Sequence, residues 1–255
     1  MNYQDQVVVL TGASGGIGSA MAKKFTDLGA KVALLDITVD RVQALADKLG
    51  LGSDRAFCAA VDVSNEESVK ATEDAIVKHF GRIDVLVNAA GIPGPSARVE
   101  DYSFSDAKKV LSVNLFGTFL MMHTVLPVMQ AQKHGAILNF GSVSGVVGYP
   151  FESAYGASKA AIIHLTKNAA SENGGNGVRI NAISPGWVKT NMMATILDSY
   201  KNVGFDNADE NVTLGPMGRP GTPEEIANVA AFICSEEASY ANGSNFLVDG
   251  GMTLG

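Results

Sequence analysis

Val7-Val8-Val9-Leu10-Thr11-Gly12-Ala13-Ser14-Gly15-Gly16-Ile17-Gly18 carries an apolar run straight into a glycine-rich turn. Four branched apolar residues without polar alternation fit a strand buried on both faces, as in a parallel sheet covered by helices. Glycines suit the turn that follows because they permit positive φ, let backbone N–H groups approach a pyrophosphate, and allow a helix to pack closely on the strand. The spacing Gly12, Gly16, Gly18 is not G-x-G-x-x-G, and no Lys-Ser/Thr pair follows, which excludes a nucleoside-triphosphate loop. Taken alone, the cluster also fits a tight turn with no ligand.

Outward from this turn, short β-branched runs alternate with longer amphipathic stretches. Strands are expected at residues 7–10, 31–36, 55–61, 83–88, 136–140, 178–183 and 246–248, and helices at 16–28, 39–49, 66–80, 105–129, 155–172 and 223–234. The fold class is therefore α/β: a single doubly wound domain over residues 1–255, with a seven-stranded parallel sheet and helices on both faces. Neither a linker nor a repeat interrupts it. Residues from Pro185 to Thr222 are less regular and hold Trp187, Met192, Met193 and Phe205, so a mobile substrate lid is expected at about 186–222.

Of the 255 residues, 46% are hydrophobic, ample for one large core. A net charge of −7 argues against nucleic-acid and anionic-membrane partners, which need clustered Lys and Arg. Cys58 and Cys234 lie in apolar runs and read as small buried hydrophobes, implying a reducing compartment. The start MNYQDQVVVLTG lacks a basic leader, and no segment approaches eighteen uninterrupted apolar residues, so a cytoplasmic location is expected. His79, His123, His134 and His164 show no ligand spacing with Cys or carboxylates, so no catalytic metal is expected. A hydrolase elbow of G-x-S-x-G form is also absent.

Asp36 ends the second expected strand, where a carboxylate can accept from both hydroxyls of an adenosine ribose and would repel a 2′-phosphate. A strand-end turn residue is the plainer reading of that aspartate. Ser14, Gly15 and Ile37 supply no base to hold such a phosphate, so the expected cofactor is NAD rather than NADP. Tyr155 and Lys159 stand at i and i+4 of an expected helix, on one face. A nearby ammonium and a positively charged nicotinamide would favour a phenolate, bringing a poor base nearer to working pH.

Thr11 to Gly18, Asp62-Val63, Asn88-Ala89-Ala90-Gly91, Asn114, Ser142, Tyr155-x-x-x-Lys159, Pro185-Gly186 with Thr190, and Asp249-Gly250-Gly251 together resemble the short-chain dehydrogenase/reductase family over essentially the whole chain. One departure is Ala89, where the family commonly has a second Asn; the role implied for that stretch is packing and backbone contact. The resemblance implies a Rossmann-type domain in which Tyr155 takes or gives the hydroxyl proton while hydride moves to or from the nicotinamide. It implies that Lys159 also holds the nicotinamide ribose and that Ser142 hydrogen-bonds the substrate oxygen. Asn114, a poor helix former among apolar neighbours, reads on its own as a buried Asn bonding backbone; the resemblance implies a water-linked proton path to Lys159. It further implies cofactor contact by Gly12, Ser14, Gly15, Gly16, Ile17, Gly18, Asp36 and Ile37, by Asp62 and Val63 at adenine, by Asn88 to Gly91 along the ribose, and by Pro185, Gly186, Val188 and Thr190. For Val63 and Val188, core packing is the alternative. A homotetramer is implied too, with the fourth and fifth helices at one interface and the C-terminal strand region at another.

Ser142, Ser144, Tyr149, Pro93, Pro95, Trp187, Met192, Met193 and Phe205 flank these segments and are the expected substrate contacts. Mostly apolar, they suggest a small uncharged alcohol or ketone. The chain thus reads as an NAD-dependent oxidoreductase acting on a secondary alcohol or ketone. A 3-oxoacyl-thioester (acyl-carrier-protein) reductase is the alternative, disfavoured by Asp36 and the acidic balance. A non-catalytic cofactor-binding regulator would have no physical need of the Tyr–Lys pair.

Overall fold

The computed structural model describes residues 1–204 and 214–254. Strand β1 (Val7–Thr11) explains its own apolar run, because Val8 and Leu10 enter one core cluster while Val7 and Val9 enter another on the opposite face. Each fully buried Val or Leu of this kind contributes about 1.5–3 kcal/mol before entropy is counted. The remaining strands are β2 (Lys31–Asp36), β3 (Ala56–Ala60), β4 (Val85–Asn88), β5 (Gly135–Phe140), β6 (Val178–Pro185) and β7 (Asn245–Val248). They pair in parallel in the order β3-β2-β1-β4-β5-β6-β7. The seven-stranded parallel sheet matches expectation.

Helices α1 (Gly16–Asp27), α2 (Val39–Lys48) and α8 (Pro223–Cys234) cover one face, contributing Phe25, Val42 and Ile226 to its cluster. Helices α3 (Glu66–Phe80), α5 (Gly117–Gln132) and α6 (Ser153–Asn173) cover the other, through Ile76, Met121 and Ala170. Strand order reverses between β1 and β4, where Thr11 stands level with Asn88. The crevice outside the carboxyl ends of strands at such a reversal is where ligands bind in this architecture.

Two elements differ from expectation. The single helix expected at 105–129 is α4 (Phe104–Leu111) and α5 joined by a π-helical turn, Ser112–Phe116, with Asn114 buried in it. An extra residue in one helical turn is favoured where a side chain must be re-aimed, and such turns gather at functional sites. The segment expected as a lid begins with a helix, α7 (Asn191–Lys201), capped by Thr190 accepting from the Met193 N–H. Phe205 lies outside the described residues. Cys58 is only half-buried, whereas Cys234 is buried.

Candidate active site

A cleft of about 790 Å³ runs along the carboxyl ends of the strands from Asp36 to Tyr155. At the β1–α1 turn, Gly12 has φ +65°, and a side chain there would collide with the Ala90 backbone at 2.9 Å. The turn is fixed from beneath by Thr11 Oγ1, which accepts from the N–H groups of Ala89 and Ala90 at 3.2 and 3.1 Å. These are backbone contacts, so the Ala89 departure leaves them intact. Gly15 caps α1 without a side-chain bond, which leaves the first-turn N–H groups of a helix pointing at the cleft, a ready anion site. Gly16 admits Thr190, whose Cγ2 would stand 2.7 Å from any Cβ at that position.

Asp36 lies at the far end of the cleft. Its Oδ2 accepts from Ser14 N and Oγ at 3.0 and 2.7 Å, and its Oδ1 accepts from Ile37 N at 2.8 Å. Asp62 lines the cleft with its carboxylate held by Ser64 Oγ at 2.6 Å. Gly12, Ser14, Gly15, Gly16, Ile17, Gly18, Ile37, Val63, Ala89, Ala90, Gly91, Pro185, Gly186, Val188 and Thr190 all line the same cleft. Asn88 does not: its amide is buried, donating to Asn139 Oδ1 at 2.9 Å. As the last residue of β4 it bonds its register partner on β5, and the chain reaches the cleft only one residue later.

Ser142, Tyr155 and Lys159 converge at the other end. Ser142 follows β5 and caps a short 3-10 turn by accepting from Ser144 N at 3.2 Å. That turn rides close on α6: a side chain on Gly145 would stand 2.7 Å from Ala160 N. Lys159 is buried, donates to Phe140 O at 2.8 Å, and lies 5.6 Å from the Tyr155 ring centre. Burial lowers its ammonium to about 8. Asn114 stands behind this group rather than in the cleft wall. It accepts from Ile92 N at 2.8 Å and donates to Ile92 O at 3.0 Å and Ser158 Oγ at 3.1 Å. Gly91 separates it from Lys159, since a Cβ there would lie 3.2 Å from Asn114 Oδ1 and 3.7 Å from Lys159 Nζ.

The expected phenolate is not favoured by the protein alone. Burial pushes Tyr155 up to about 12, with hydrogen bonding by Ser142 drawing it down and the Glu152 carboxylate raising it further. The site therefore holds a neutral phenol beside a buried lysine.

Ser144, Tyr149, Trp187, Met192 and Met193 line the chamber above Tyr155. Pro93 and Pro95 instead border a small adjoining void. Sequence reasoning missed Glu152, Asn191, Ile196 and Met252 in the chamber, and Arg41 and Lys109 along the cleft. Ser14, Gly15 and Ile37 supply no base beside Asp36, but Arg41 lines the same cleft. It sits on α2 five residues later, beyond the turn positions considered; helix periodicity after Asp36 would have found it. Among the described residues no group of three or more His, Cys, Asp or Glu could hold a metal ion.

This geometry joins an anion-binding turn to a Tyr–Lys–Ser cluster in one cleft. The family model described as enoyl-(acyl carrier protein) reductase matches residues 12–253. Levodione reductase of Leifsonia aquatica is 38% identical over 257 residues, covering 98% of this chain and 95% of that protein. D-threitol dehydrogenase of Mycolicibacterium smegmatis is 39% identical over 251 residues, covering 98% and 93%. A crystal structure of NAD⁺-bound xylitol dehydrogenase superposes with a TM-score of 0.93 at 35% identity, covering 98% of this chain and 100% of the other. The chain belongs to the short-chain dehydrogenase/reductase family and is an oxidoreductase of the class acting on alcohol groups.

Proposed function

We propose that the chain interconverts a secondary alcohol and a ketone with NAD as hydride carrier. The observation that carries this reading is the convergence of Tyr155, Lys159 and Ser142 at one end of a cleft whose other end is closed by Asp36. When bound, a nicotinamide dinucleotide supplies a hydride acceptor for oxidation or a hydride donor for reduction. Gly12 to Gly18 would hold its pyrophosphate, Asp36 its adenosine ribose, Asp62 and Val63 the adenine, and Lys159 the nicotinamide ribose. The apolar and small residues Ala90, Gly91, Pro185, Gly186, Val188 and Thr190 would frame the remainder.

Tyr155 exchanges the carbinol proton through its phenolic oxygen. A phenol near 12 is an acid rather than a base at neutral pH, so the cofactor-free site is poised to donate, the protonation state that ketone reduction needs. Ser142 donates to the substrate oxygen and stabilises the charge that grows on it. Asn114 acts through position: clamped to Ile92 and Ser158 behind Lys159, it orders the proton path on the amine's inner side. The apolar wall of Trp187, Met192 and Met193 suits a small uncharged substrate.

A 3-oxoacyl-thioester (acyl-carrier-protein) reductase, acting on the 3-ketone of a carrier-bound chain, is the second reading, favoured by the carrier-protein description of the matching family model and by Lys109 on the cleft. The Asp36 and Glu152 carboxylates oppose it, since that chemistry prefers NADPH and an anionic carrier arm. A homotetramer is supported by exposed apolar side chains on the elements concerned: Phe116 and Phe119 beside and on α5, and Leu247 on β7. A cytoplasmic location is supported by two unpaired thiols. Monitoring NADH absorbance with a panel of secondary alcohols and ketones, each with NAD and NADP, tests the function. Turnover with NAD is expected; a strong NADP preference, or activity confined to acyl thioesters, contradicts the proposal. Light scattering giving the mass of four chains tests the assembly.

A further inference from the structure

Glu152 has an unusual setting for a carboxylate. It occupies the N-cap of α6, three residues before Tyr155, where a side-chain oxygen ordinarily accepts from the free N–H groups of the first turn. It makes no such bond. The carboxylate turns aside to the cleft wall, where Ser144 Oγ donates to Oε2 and Tyr200 Oη donates to Oε1, both at 2.6 Å. The backbone before it is strained: Phe151 has φ +68°, a left-handed conformation rare for a bulky residue. It is pinned there by Ala97 N donating to Phe151 O at 3.2 Å. Such strain persists where the surroundings fix it and gathers at functional sites.

A carboxylate only accepts, and it offers about four lone-pair sites. Ser144 and Tyr200 use two of them, which leaves acceptor capacity in the chamber that also holds Tyr155 and Tyr149. A monohydric alcohol or simple ketone has nothing to offer that oxygen once its reacting group is engaged by Tyr155 and Ser142. A desolvated acceptor left without a donor costs binding, so the site discriminates for a substrate that supplies one.

We propose that Glu152 accepts a hydrogen bond from a second hydroxyl of the substrate, next to the reacting carbon, which makes the substrate class diols, polyols and hydroxyketones. The inference rests on the alcohol–ketone reading above. Trp187, Met192, Met193 and Ile196 cover the carbon skeleton, while the negative wall repels substrates bearing a carboxylate or phosphate.

Steady-state kinetics on carbon-matched pairs tests it: 2-butanol against 2,3-butanediol, and cyclohexanol against cyclohexane-1,2-diol, with 3-hydroxybutyrate as an anionic probe. In the unmodified protein kcat/KM for the diol should exceed that for the mono-alcohol by at least about tenfold. Glu152→Ala should cut the diol value about tenfold more than the mono-alcohol value, mainly through KM. Glu152→Gln, which keeps the shape and one acceptor oxygen, should fall between and improve 3-hydroxybutyrate relative to both alcohols. Tyr200→Phe removes a clamp on α7 but leaves the acceptor. A structural role alone would give equal losses on both members of each pair, with Tyr200→Phe matching Glu152→Ala, and that result overturns the proposal. Turnover of mono-alcohols with no diol preference overturns this proposal alone. Failure to turn over any alcohol or ketone with either cofactor overturns the alcohol–ketone reading and this one with it.

Discussion

The two ends of the sheet bury charge in opposite ways. At the amino ends, Asp84 is enclosed by the Arg82 fork at 2.6–3.1 Å and by Val7 N at 2.8 Å. On β6, Arg179 donates to five backbone carbonyls, those of Ile233, Cys234, Ser235, Ala238 and Ala241. At the carboxyl ends, the buried Lys159 has, among the described residues, a single carbonyl for its ammonium, and Tyr155 has Ser142 set against a raising carboxylate. One end satisfies its charges completely and is a fastening. The other leaves them short of partners, and their protonation becomes available for chemistry.

That contrast can be broken from the amino end first. Asp84→Ala leaves the Val7 N–H without its acceptor and the half-exposed Arg82 without its partner, and should cost about 1–3 kcal/mol in denaturant unfolding. NADH binding by the protein that remains folded should persist. The second effect runs the other way: Lys159→Met should abolish turnover yet stabilise the cofactor-free protein. Burial holds Lys159 near 8 against an ordinary 10.5, equivalent to about 3 kcal/mol of disfavoured charge at neutral pH, offset in part by the lost bond to Phe140. A rise in Tm of several degrees is expected; a fall would mean the amine is a fastening after all.

The same shift sets a pH dependence. Because the folded ammonium titrates below the unfolded one, the Lys159 contribution to stability should climb with pH between about 8 and 10.5, opposed above about 9 by the Cys234 thiol, which burial raises to about 12. Urea midpoints from pH 7 to 10.5 would record this climb, and Lys159→Met should lack that component. The smallest expected effect lies at the adenosine end. Asp36→Ala should improve NADP relative to NAD by about tenfold, because a like-charge repulsion is removed and Arg41 remains on the cleft. Adding Arg41→Ala should reverse much of that gain.

Much of this was legible in the sequence because it depends on spacing. The apolar run at Val7 to Leu10 required burial on two faces, and the glycines at 12, 16 and 18 required a close turn, so sheet, cleft and cofactor end followed. Tyr155 and Lys159 shared a face because four residues separate them on a helix. What escaped was set by packing between distant segments. The π turn at Ser112–Phe116 depends on Asn114 finding Ile92 and Ser158, neither close in sequence. Glu152 looks like an ordinary helix-start acid, and only the fold brings Ser144 and Tyr200 to it. The Tyr155 phenolate was expected from an ammonium and a charged nicotinamide together; in the protein alone, desolvation of the site dominates and pushes the phenol up. Helix α7 was within reach: Thr190 caps it, and Met193, Ile196 and Tyr200 follow at helical spacing.

The central claim is that the sparsely partnered Tyr155 transfers the substrate proton. Single-turnover reduction of a ketone substrate by NADH-loaded Tyr155→Phe tests it directly, with NADH affinity followed by fluorescence. The account predicts hydride transfer slowed by about 10²–10⁴-fold, with cofactor binding within a few-fold of the unmodified protein. Transfer at an undiminished rate would contradict it.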